Sequence, residues 1–199
     1  MNATTHPPRR TLRLAARAAV LSAALLASSC GRSGATTEPI PPDVLPAIAN
    51  YLADRIAPDY GGEWEHCIPL VRVVATDSSA PSDVRVWGDY QVWNCRLEGD
   101  TLHCVSGGAH PGLMHLRGTN GVLAVFAFEP VPDGSDHLSG AKRIFGRHFA
   151  EWRKMAGDDD ARKEERGKAV AEYVSVHGLP AKFYKDYGWD PVTIPSIEE

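Results

Sequence analysis

Apolar and polar positions recur with two different periods along the chain, and the change of period predicts where helices and strands lie. Between residues 43 and 57 apolar side chains recur every fourth position, which predicts an amphipathic helix that begins at Asp43 and stops at Pro58. Residues 68 to 128 are rich in branched and aromatic side chains, which indicates β-strands. The predicted strands span residues 68–76, 84–97, 101–106, 113–117 and 122–128.

Helical spacing returns in the last third of the chain. An apolar stripe runs over residues 141–155 after Ser139, a candidate helix cap, and a second stripe runs over residues 169–177 up to Gly178. The charged run 162–166 predicts a solvated helix face, and the aromatic tail 182–191 is expected to pack back on the domain. The predicted fold class is therefore α+β: an N-terminal helix, a curved antiparallel meander of about five strands, and C-terminal helices packed on the sheet.

A two-residue turn predicts the register of one hairpin. Gly99-Asp100 suits a tight hairpin loop, and counting outward from it pairs Cys95 with Cys104. The pair falls at a closer, non-hydrogen-bonded position, where the separation can fit a disulfide. Two reduced cysteines packed side by side are the alternative, and Cys67 is expected to be a buried thiol. Asn120-Gly121 predicts a second hairpin.

The first thirty residues have the three-part layout of an export signal. Arginines precede an apolar run at residues 18–27, which is shorter than the roughly 20 residues of a membrane-spanning helix, and small residues lead to Cys30. The run Leu25-Leu26-Ala27-Ser28-Ser29-Cys30 resembles a lipobox. That resemblance implies removal of residues 1–29 as a signal peptide and acylation of Cys30. A transmembrane anchor and a simple cleaved signal are the alternatives.

In Gram-negative lipoproteins an aspartate after the lipidated cysteine favours retention at the inner membrane. This chain has Gly31 there, so the same resemblance implies that the protein goes to the outer membrane if its cell is Gram-negative. The address predicted from the sequence is thus the cell envelope, with the lipid as the contact to the membrane.

Composition divides the rest of the chain. Residues 30–42, which begin at the lipidated cysteine, are expected to form a flexible linker, and residues 43–199 suit a single domain. The signal holds four of the 21 basic residues and none of the 25 acidic ones, so the remainder has 17 basic residues and a formal charge of −8. This acidity argues against nucleic acid as a partner and against binding of anionic lipid through charge.

The predicted order of elements resembles the cystatin or NTF2-like arrangement over residues 43 to about 130, in which a curved sheet wraps a helix. Trp87-Gly88-Asp89-Tyr90 and residues 105–115 and 184–189 also resemble a family of uncharacterised secreted bacterial lipoproteins. This second resemblance implies a class of protein and brings no activity with it.

Residues 106–115 are the most irregular part of the predicted sheet. Gly107-Gly108 permits a bulge or a close approach of another group, and Pro111 removes a ladder donor. His110 is a candidate acid, base or ligand-binding group at a pocket mouth, and a kinked sheet corner with a locally bonded histidine is the alternative. His115 is predicted to pair with Phe126 and to be a hydrogen-bonded core residue. On a regular strand the two histidines point to opposite faces, so no zinc site is expected.

Alternation along the second predicted strand places Trp87, Asp89, Gln91 and Trp93 on one face. That face is predicted to be an apolar concavity in which Asp89 and Gln91 are the polar groups of a ligand pocket, with a raised pKa for Asp89. The alternative is a bulge at Gly88 that turns Asp89 outward. The candidate pocket residues are thus Trp87, Asp89, Gln91, Trp93, His110 and His115.

The chain has no G-x-S-x-G, no phosphate-binding glycine loop and no H-E-x-x-H, and no cofactor is predicted. The predicted function is a lipid-anchored cell-envelope protein whose domain binds a small molecule or an envelope protein without catalysis. The alternative is an NTF2-like lyase or isomerase that uses Asp89 or His110 for proton transfer, and a purely structural envelope role is the third possibility.

Overall fold

The computed structural model describes residues 40–119 and 122–197. The predicted signal peptide, Cys30 and the linker up to residue 39 lie outside the described residues. So does the predicted Asn120-Gly121 turn.

The described residues form an α+β fold around one curled, open, mostly antiparallel sheet. β1 to β4 make an antiparallel meander, β5 joins β3 in parallel, and β6 pairs antiparallel with β5. The strands are β1 His66–Asp77, β2 Val84–Glu98, β3 Thr101–Thr119, β4 Val122–Pro130, β5 Phe183–Asp186 and β6 Val192–Thr193.

β3 differs from its prediction. Residues 101–106 and 113–117 belong to one strand of 19 residues, because β2 pairs with the irregular segment between them as well. Gly107, Gly108 and Pro111 suggested a break, but a strand that is paired only with β2 over this segment can contain them.

Helices cover both faces of the sheet. α1 Val44–Tyr51 continues through a π-helical turn, Leu52–Ile56, and a 3₁₀ turn, Ala57–Tyr60, so only part of the segment predicted as an α-helix is α-helical. The helices of the opposite face are α2 His137–Phe145, α3 Phe149–Ala156 and α4 Asp159–His177. α2 and α3 divide the first predicted helical stripe at Gly146, whose φ of 49° is incompatible with a right-handed helix.

Alternation along β2 gives the sheet two different buried faces. Val86, Tyr90 and Val92 are fully buried under α1, on what we call the α1 face. Cys95 packs against Val170 of α4 on what we call the α4 face. Each fully buried aliphatic side chain of this kind contributes about 1.5–3 kcal/mol, so both helical layers stabilise the sheet.

The register predicted for the first hairpin is confirmed. Cys95 lies opposite Cys104, and the pairs from there to the turn are Arg96 with His103, Leu97 with Leu102, and Glu98 with Thr101. Beyond the cysteines one extra residue of β3, Val105, bulges out, because Asn94 pairs with Ser106.

In the described part of the chain, none of the helices is both long enough and apolar enough to cross a membrane.

Candidate functional site

Asp89 and His110 lie on opposite faces of the sheet. Tyr90 is opposite His110 in the β2–β3 ladder and belongs to the α1 face, whereas Asp89, one position earlier in β2, projects to the α4 face. Because the sheet separates the two side chains, one substrate in a pocket on either face reaches only one of them.

The α4 face around Asp89 is filled by an ion-pair network and is not an open concavity. Asp89 is 5% exposed, its Oδ2 lies 3.6 Å from Nη1 of Arg72, and it accepts a 3.0 Å hydrogen bond from Nε2 of Gln91. Arg72 also donates to Glu165 of α4. Burial raises the pKa of Asp89, against the lowering effects of Gln91 and Arg72. The network joins α4 to the sheet and covers the carboxylate.

Trp87 contributes to the same filled face. Its Nε1 donates a 2.9 Å hydrogen bond to the carbonyl of Ile144, and its ring lies 5.1 Å from the ring of His148. The alternative, a bulge at Gly88, is not found in the β2–β3 ladder, and the nearby irregularity lies in β1 at Val74. Asp89 therefore keeps the inward face that regular alternation predicts.

His110 forms a pair with Tyr60 on the α1 face. Nε2 of His110 and the hydroxyl of Tyr60 share a 2.8 Å hydrogen bond, and the rings meet edge to face. Burial lowers the pKa of His110 and raises that of Tyr60, which keeps both groups neutral near pH 7. Exposed Asp59 and Asp133 are close enough to act on His110 electrostatically.

Two neighbouring glycines make this arrangement possible, and the predicted close approach is confirmed. A Cβ on Gly108 would lie 2.4 Å from the Tyr60 hydroxyl. Gly107 has φ 143°, and a Cβ there would lie 2.1 Å from the carbonyl oxygen of Val92. Asn94, which is fully buried, donates a 3.0 Å hydrogen bond to the carbonyl of Ala57 and so holds the turn that carries Tyr60.

The prediction for His115 was wrong in its pairing. His115 lies opposite Ala127, because a bulge at Phe126 shifts β4 by one residue. Its Nδ1 is 2.7 Å from Asp83 Oδ1 and its Nε2 is 3.3 Å from Glu129 Oε1. His115 thus links carboxylates at the sheet surface, on the face opposite His110.

The outer edge of β3 is unpaired over its central third. β5 pairs with β3 at residues 101–104 and β4 pairs with it at residues 112–119, and no strand in the described part of the chain pairs with residues 105–110 on that side. We call this edge the β3 slot. Six residues of strand span about 20 Å, enough for a short extended peptide.

The turn after β5 opens the slot. β5 runs parallel to β3 and ends at Asp186, opposite Cys104. A turn closed by the 3.1 Å bond from Trp189 N–H to the carbonyl of Asp186, with Gly188 at φ 80°, then leads the chain away from the β3 edge. The positive φ at Gly188 is the local reason why β5 does not continue along residues 105–110.

The slot presents backbone groups outward. The carbonyl of Pro111 accepts a 2.8 Å hydrogen bond from the N–H of Val131, so it points away from β2. Backbone groups alternate in direction along a strand, so the N–H and C=O of Ala109 point the same way, and Ala109 is exposed. These groups are oriented to pair with an added strand.

A cavity of about 280 Å³ adjoins the slot. Its walls are formed by Trp93, Asp186 and the consecutive β3 residues Cys104, Val105, Ser106, Gly107 and Gly108. Of these, Val105 is an exposed apolar side chain, at 38%. In the turn that follows Asp186, Tyr187 is 95% exposed and Trp189 75%. The expectation that the aromatic tail packs on the domain was therefore right for buried Tyr184 and wrong for Tyr187 and Trp189.

Sequence reasoning missed Arg166, which organises the cavity wall. Its side chain is only 15% exposed, and both Nη atoms lie 2.6 Å from carboxylate oxygens of Asp186. Its guanidinium also lies 4.4 Å from the centroid of the Trp93 ring. Arg166 precedes Val170 of the apolar stripe by four residues, so helical spacing was the available signal against a solvated position.

The predicted cysteine pair lies beside Arg166. The sulfurs of Cys95 and Cys104 are 2.9 Å apart, longer than the S–S bond of about 2.05 Å. The structure therefore shows the alternative, two thiols packed side by side, and not the predicted disulfide. Nη2 of Arg166 lies 3.4 Å from Sγ of Cys104. Cys67, on the α1 face, is half-buried, and burial raises its pKa to about 11.

The candidate residues thus divide into separate groups. Of the six predicted pocket residues, Trp93 lines the 280 Å³ cavity, whereas Trp87, Asp89 and Gln91 are covered by helices and the two histidines are paired. A second groove of about 670 Å³, between α4 and the C-terminal segment, contains none of them. Within residues 40–119 and 122–197, no three His, Cys, Asp or Glu side chains are grouped to hold a metal ion.

No family model matches the chain, and no curated protein or solved structure matches it either.

Proposed function

We propose that this chain is a lipid-anchored cell-envelope protein whose folded domain binds an extended segment of a partner protein in the β3 slot, without catalysing a reaction. The observation that carries the proposal is the outer edge of β3 at residues 105–110, which no strand among residues 40–119 and 122–197 covers, although β4 and β5 cover that edge on either side. The export signal and Cys30 support the location, by resemblance to a lipobox.

The slot has the properties of a strand-addition site. In such recognition the backbone hydrogen bonds supply affinity, and alternate side chains of the bound peptide enter pockets on the two faces. Here one face offers the 280 Å³ cavity beside Trp93, and the other offers the Tyr60–His110 pair. Tyrosine and tryptophan are enriched among the residues that dominate binding energy, and Tyr60 and Trp93 lie on the two faces here.

The β1 edge of the sheet carries protective features. β1 contains Pro69 and a bulge at Val74, which are common devices against edge-to-edge association. The β3 slot instead presents small residues, Ser106, Gly107 and Gly108, next to exposed Ala109. This contrast favours the slot over β1 as the docking edge.

Charge defines the chemistry of the partner segment. Exposed Asp59 and Asp133 act electrostatically on His110, at the end of the slot nearest β4. At the other end Asp186 is neutralised by Arg166 and the cavity wall is apolar on Trp93 and Val105. We therefore expect an extended segment with an apolar side chain for the cavity and a basic residue near the two aspartates.

The NTF2-like arrangement remains part of the proposal for residues 43 to about 130, and α1 across the curled sheet supports it. Lyase or isomerase chemistry is not proposed. Asp89 and His110 are on opposite faces, and Asp89 is held in an ion-pair network that leaves it 5% exposed.

A backbone substitution tests the slot. The full-length protein, with a photoreactive amino acid at Val105, is cross-linked in its own cells, and the products are compared in Ala109→Pro and Ala109→Val backgrounds. Proline removes the outward N–H, whereas valine keeps it at the same exposed position. We expect one discrete cross-linked product that Ala109→Pro abolishes and Ala109→Val preserves, joined to an extended segment with a basic residue.

The controls separate docking from chance contact and from the anchor. An identical cross-link yield in the two Ala109 variants, or the same product from a photoreactive group at exposed Val122, would refute the docking site. Intact mass of the exported protein tests the anchor independently, since an unmodified Cys30 in the exported protein contradicts it.

A further inference from the structure

The positions of Cys95 and Cys104 in the sheet suit the formation of a disulfide between them. They are direct cross-strand partners, and their sulfurs are already 2.9 Å apart. A cross-strand pair at this separation closes a disulfide through side-chain adjustment alone, because the backbone register needs no change.

The two thiols have different surroundings. Cys95 is fully buried against α4, whereas Cys104 is 8% exposed and forms part of the wall of the 280 Å³ cavity. A reagent that enters the cavity therefore meets Cys104 first. Cys95 lies behind it, within reach of the Cys104 sulfur.

A cation is fixed next to Cys104. Nη2 of Arg166 contacts its sulfur at 3.4 Å, and Asp186 holds the guanidinium from the other side through two 2.6 Å bonds. Trp93 and Tyr184 pack on the guanidinium at 4.4 and 5.1 Å from their ring centroids. Four contacts thus hold the positive charge where a thiolate would form.

The pKa values of the two thiols also shift in opposite directions. The hydrogen bond that the two thiols share lowers the pKa of Cys104, and Arg166 lowers it further against the opposing effect of burial. The same hydrogen bond, together with burial, raises the pKa of Cys95. We therefore expect the thiolate to form on Cys104, beside Arg166, rather than on fully buried Cys95.

We propose that Cys95 and Cys104 form a thiol–disulfide exchange site, in which Cys104 is the attacking sulfur and Cys95 the resolving one. The substrate is an external disulfide, RSSR. The Cys104 thiolate attacks one sulfur of RSSR, forms a mixed disulfide and releases RS⁻. Cys95 then transfers its proton to the RS⁻ already released and attacks the Cys104 sulfur, which closes the Cys95–Cys104 bond and releases the second RS⁻. The dithiol is oxidised by two electrons and RSSR is reduced to two thiols.

The exchange reaction does not depend on peptide docking in the β3 slot, although both use the 280 Å³ cavity. The sequence predicted a disulfide that only stabilises the hairpin. The site proposed here instead exchanges with external disulfides through the Cys104 sulfur. It also makes the shape of the cavity wall depend on redox state, because Cys104 is part of that wall.

The test uses the aromatic disulfide DTNB with the reduced full-length chain carrying Cys30→Ser and Cys67→Ser. We expect two equivalents of released thiol per chain and a protein two hydrogen masses lighter, with no retained adduct. Adding Cys95→Ser should release one equivalent and leave a stable adduct on Cys104. Adding Cys104→Ser instead should slow the reaction by about tenfold or more, because the remaining thiol is buried and protonated.

Variants of Arg166 test the effect of its positive charge on the reactivity of Cys104. Arg166→Gln in the Cys95→Ser background should slow the reaction of Cys104 severalfold and move the midpoint of its pH–rate profile upward, and Arg166→Lys should restore part of both. Lys168→Gln, an exposed cation of the same helix, should change neither. Circular dichroism confirms that each variant is folded. Equal rates for the two single-cysteine variants, or a persistent adduct on the parent chain, would overturn the assignment.

Discussion

Arg166 of α4 and Asp186 of β5 form a two-pronged ion pair, with both guanidinium Nη atoms 2.6 Å from the carboxylate oxygens. The pair joins the longest helix to the short strand that borders the β3 slot. β5 is only four residues long, so side-chain contacts of this kind contribute much of what holds it in place.

Removing one partner of this ion pair should destabilise the fold. Asp186→Ala leaves a mostly buried guanidinium without its carboxylate. We expect a loss of about 2 kcal/mol, below the value of about 3–5 kcal/mol for fully buried pairs, because the Asp186 side chain is 44% exposed. Urea denaturation measures the loss.

The matched control is Glu164→Ala, which breaks an exposed pair with Lys168 in the same helix. It should cost about 0.5 kcal/mol or less. Equal losses for the two variants would contradict the structural role of the Arg166–Asp186 pair.

Gly108 and Tyr60 should be energetically coupled. A Cβ at Gly108 meets the Tyr60 hydroxyl at 2.4 Å, but the next atom of the ring is 3.4 Å away. Gly108→Ala should therefore cost about 1–3 kcal/mol in the parent and clearly less in a Tyr60→Phe background, where the clashing oxygen is gone. A double-mutant cycle measured by urea unfolding gives the coupling, and strict additivity would show that Tyr60 does not lie over Gly108.

Gly107 should be intolerant of any side chain. Its φ of 143° is in a region that L-residues rarely adopt, and a Cβ would lie 2.1 Å from the Val92 carbonyl oxygen. Gly107→Ala is expected to cost about 3 kcal/mol or more, from backbone strain combined with the clash. Thermal and urea unfolding quantify the loss.

Gly118 of the same strand is the comparison, because its φ is ordinary for L-residues and a Cβ there meets nothing within 4 Å. Gly118→Ala should change stability by no more than about 0.5 kcal/mol. Equal stability of Gly107→Ala and Gly118→Ala would contradict the positive φ of Gly107 and its close contact with the Val92 carbonyl.

Asp89 should give the stability a specific pH dependence. Its pKa is raised in the folded state above the ordinary 3.8, mainly by burial. As pH falls from neutral through this raised value, the folded state takes up a proton before the unfolded state does, so folding gains stability from Asp89. This stabilisation is fully present below pH 3.8, the ordinary pKa that applies to the unfolded state, and it is lost as pH rises through the folded-state pKa of Asp89.

Asp89→Asn removes this titration. We therefore expect the unfolding free energy of the parent minus that of Asp89→Asn to increase as pH is lowered from 7 toward 4. Chemical denaturation across that range measures the difference. A difference that stays constant or decreases on acidification would contradict a raised pKa.

Local patterns predicted short-range structure well and long-range structure poorly. The Gly99-Asp100 turn determined the hairpin register as far as Cys95 and Cys104, because a two-residue loop leaves one way to count outward. By contrast, Gly107 and Pro111 suggested a break in a strand that is continuous. A strand can tolerate both residues when one neighbour, here β2, supplies pairing throughout.

The chemistry of the sites came from tertiary contacts. Alternation placed Asp89 on an inward face, but only the packing of α4 put Arg72 and Glu165 on that face and removed the expected pocket. Arg166 belonged to a charge run that predicted a solvated helix face. Its contact with Cys104, 62 residues away in sequence, depends on how α4 lies across the sheet.

The sequence by itself determined the α+β class, the strand-rich middle of the chain, the facing cysteines and the close approach at Gly107-Gly108. These features follow from periodicity and from backbone conformations that few residues adopt, which are properties of neighbouring residues. Only the tertiary structure decided that Asp89 and His110 are separated by the sheet, that no described strand covers the outer edge of residues 105–110, and that Arg166 lies beside Cys104. Such relationships depend on which distant elements pack together, and that choice is made by the free energy of the whole fold.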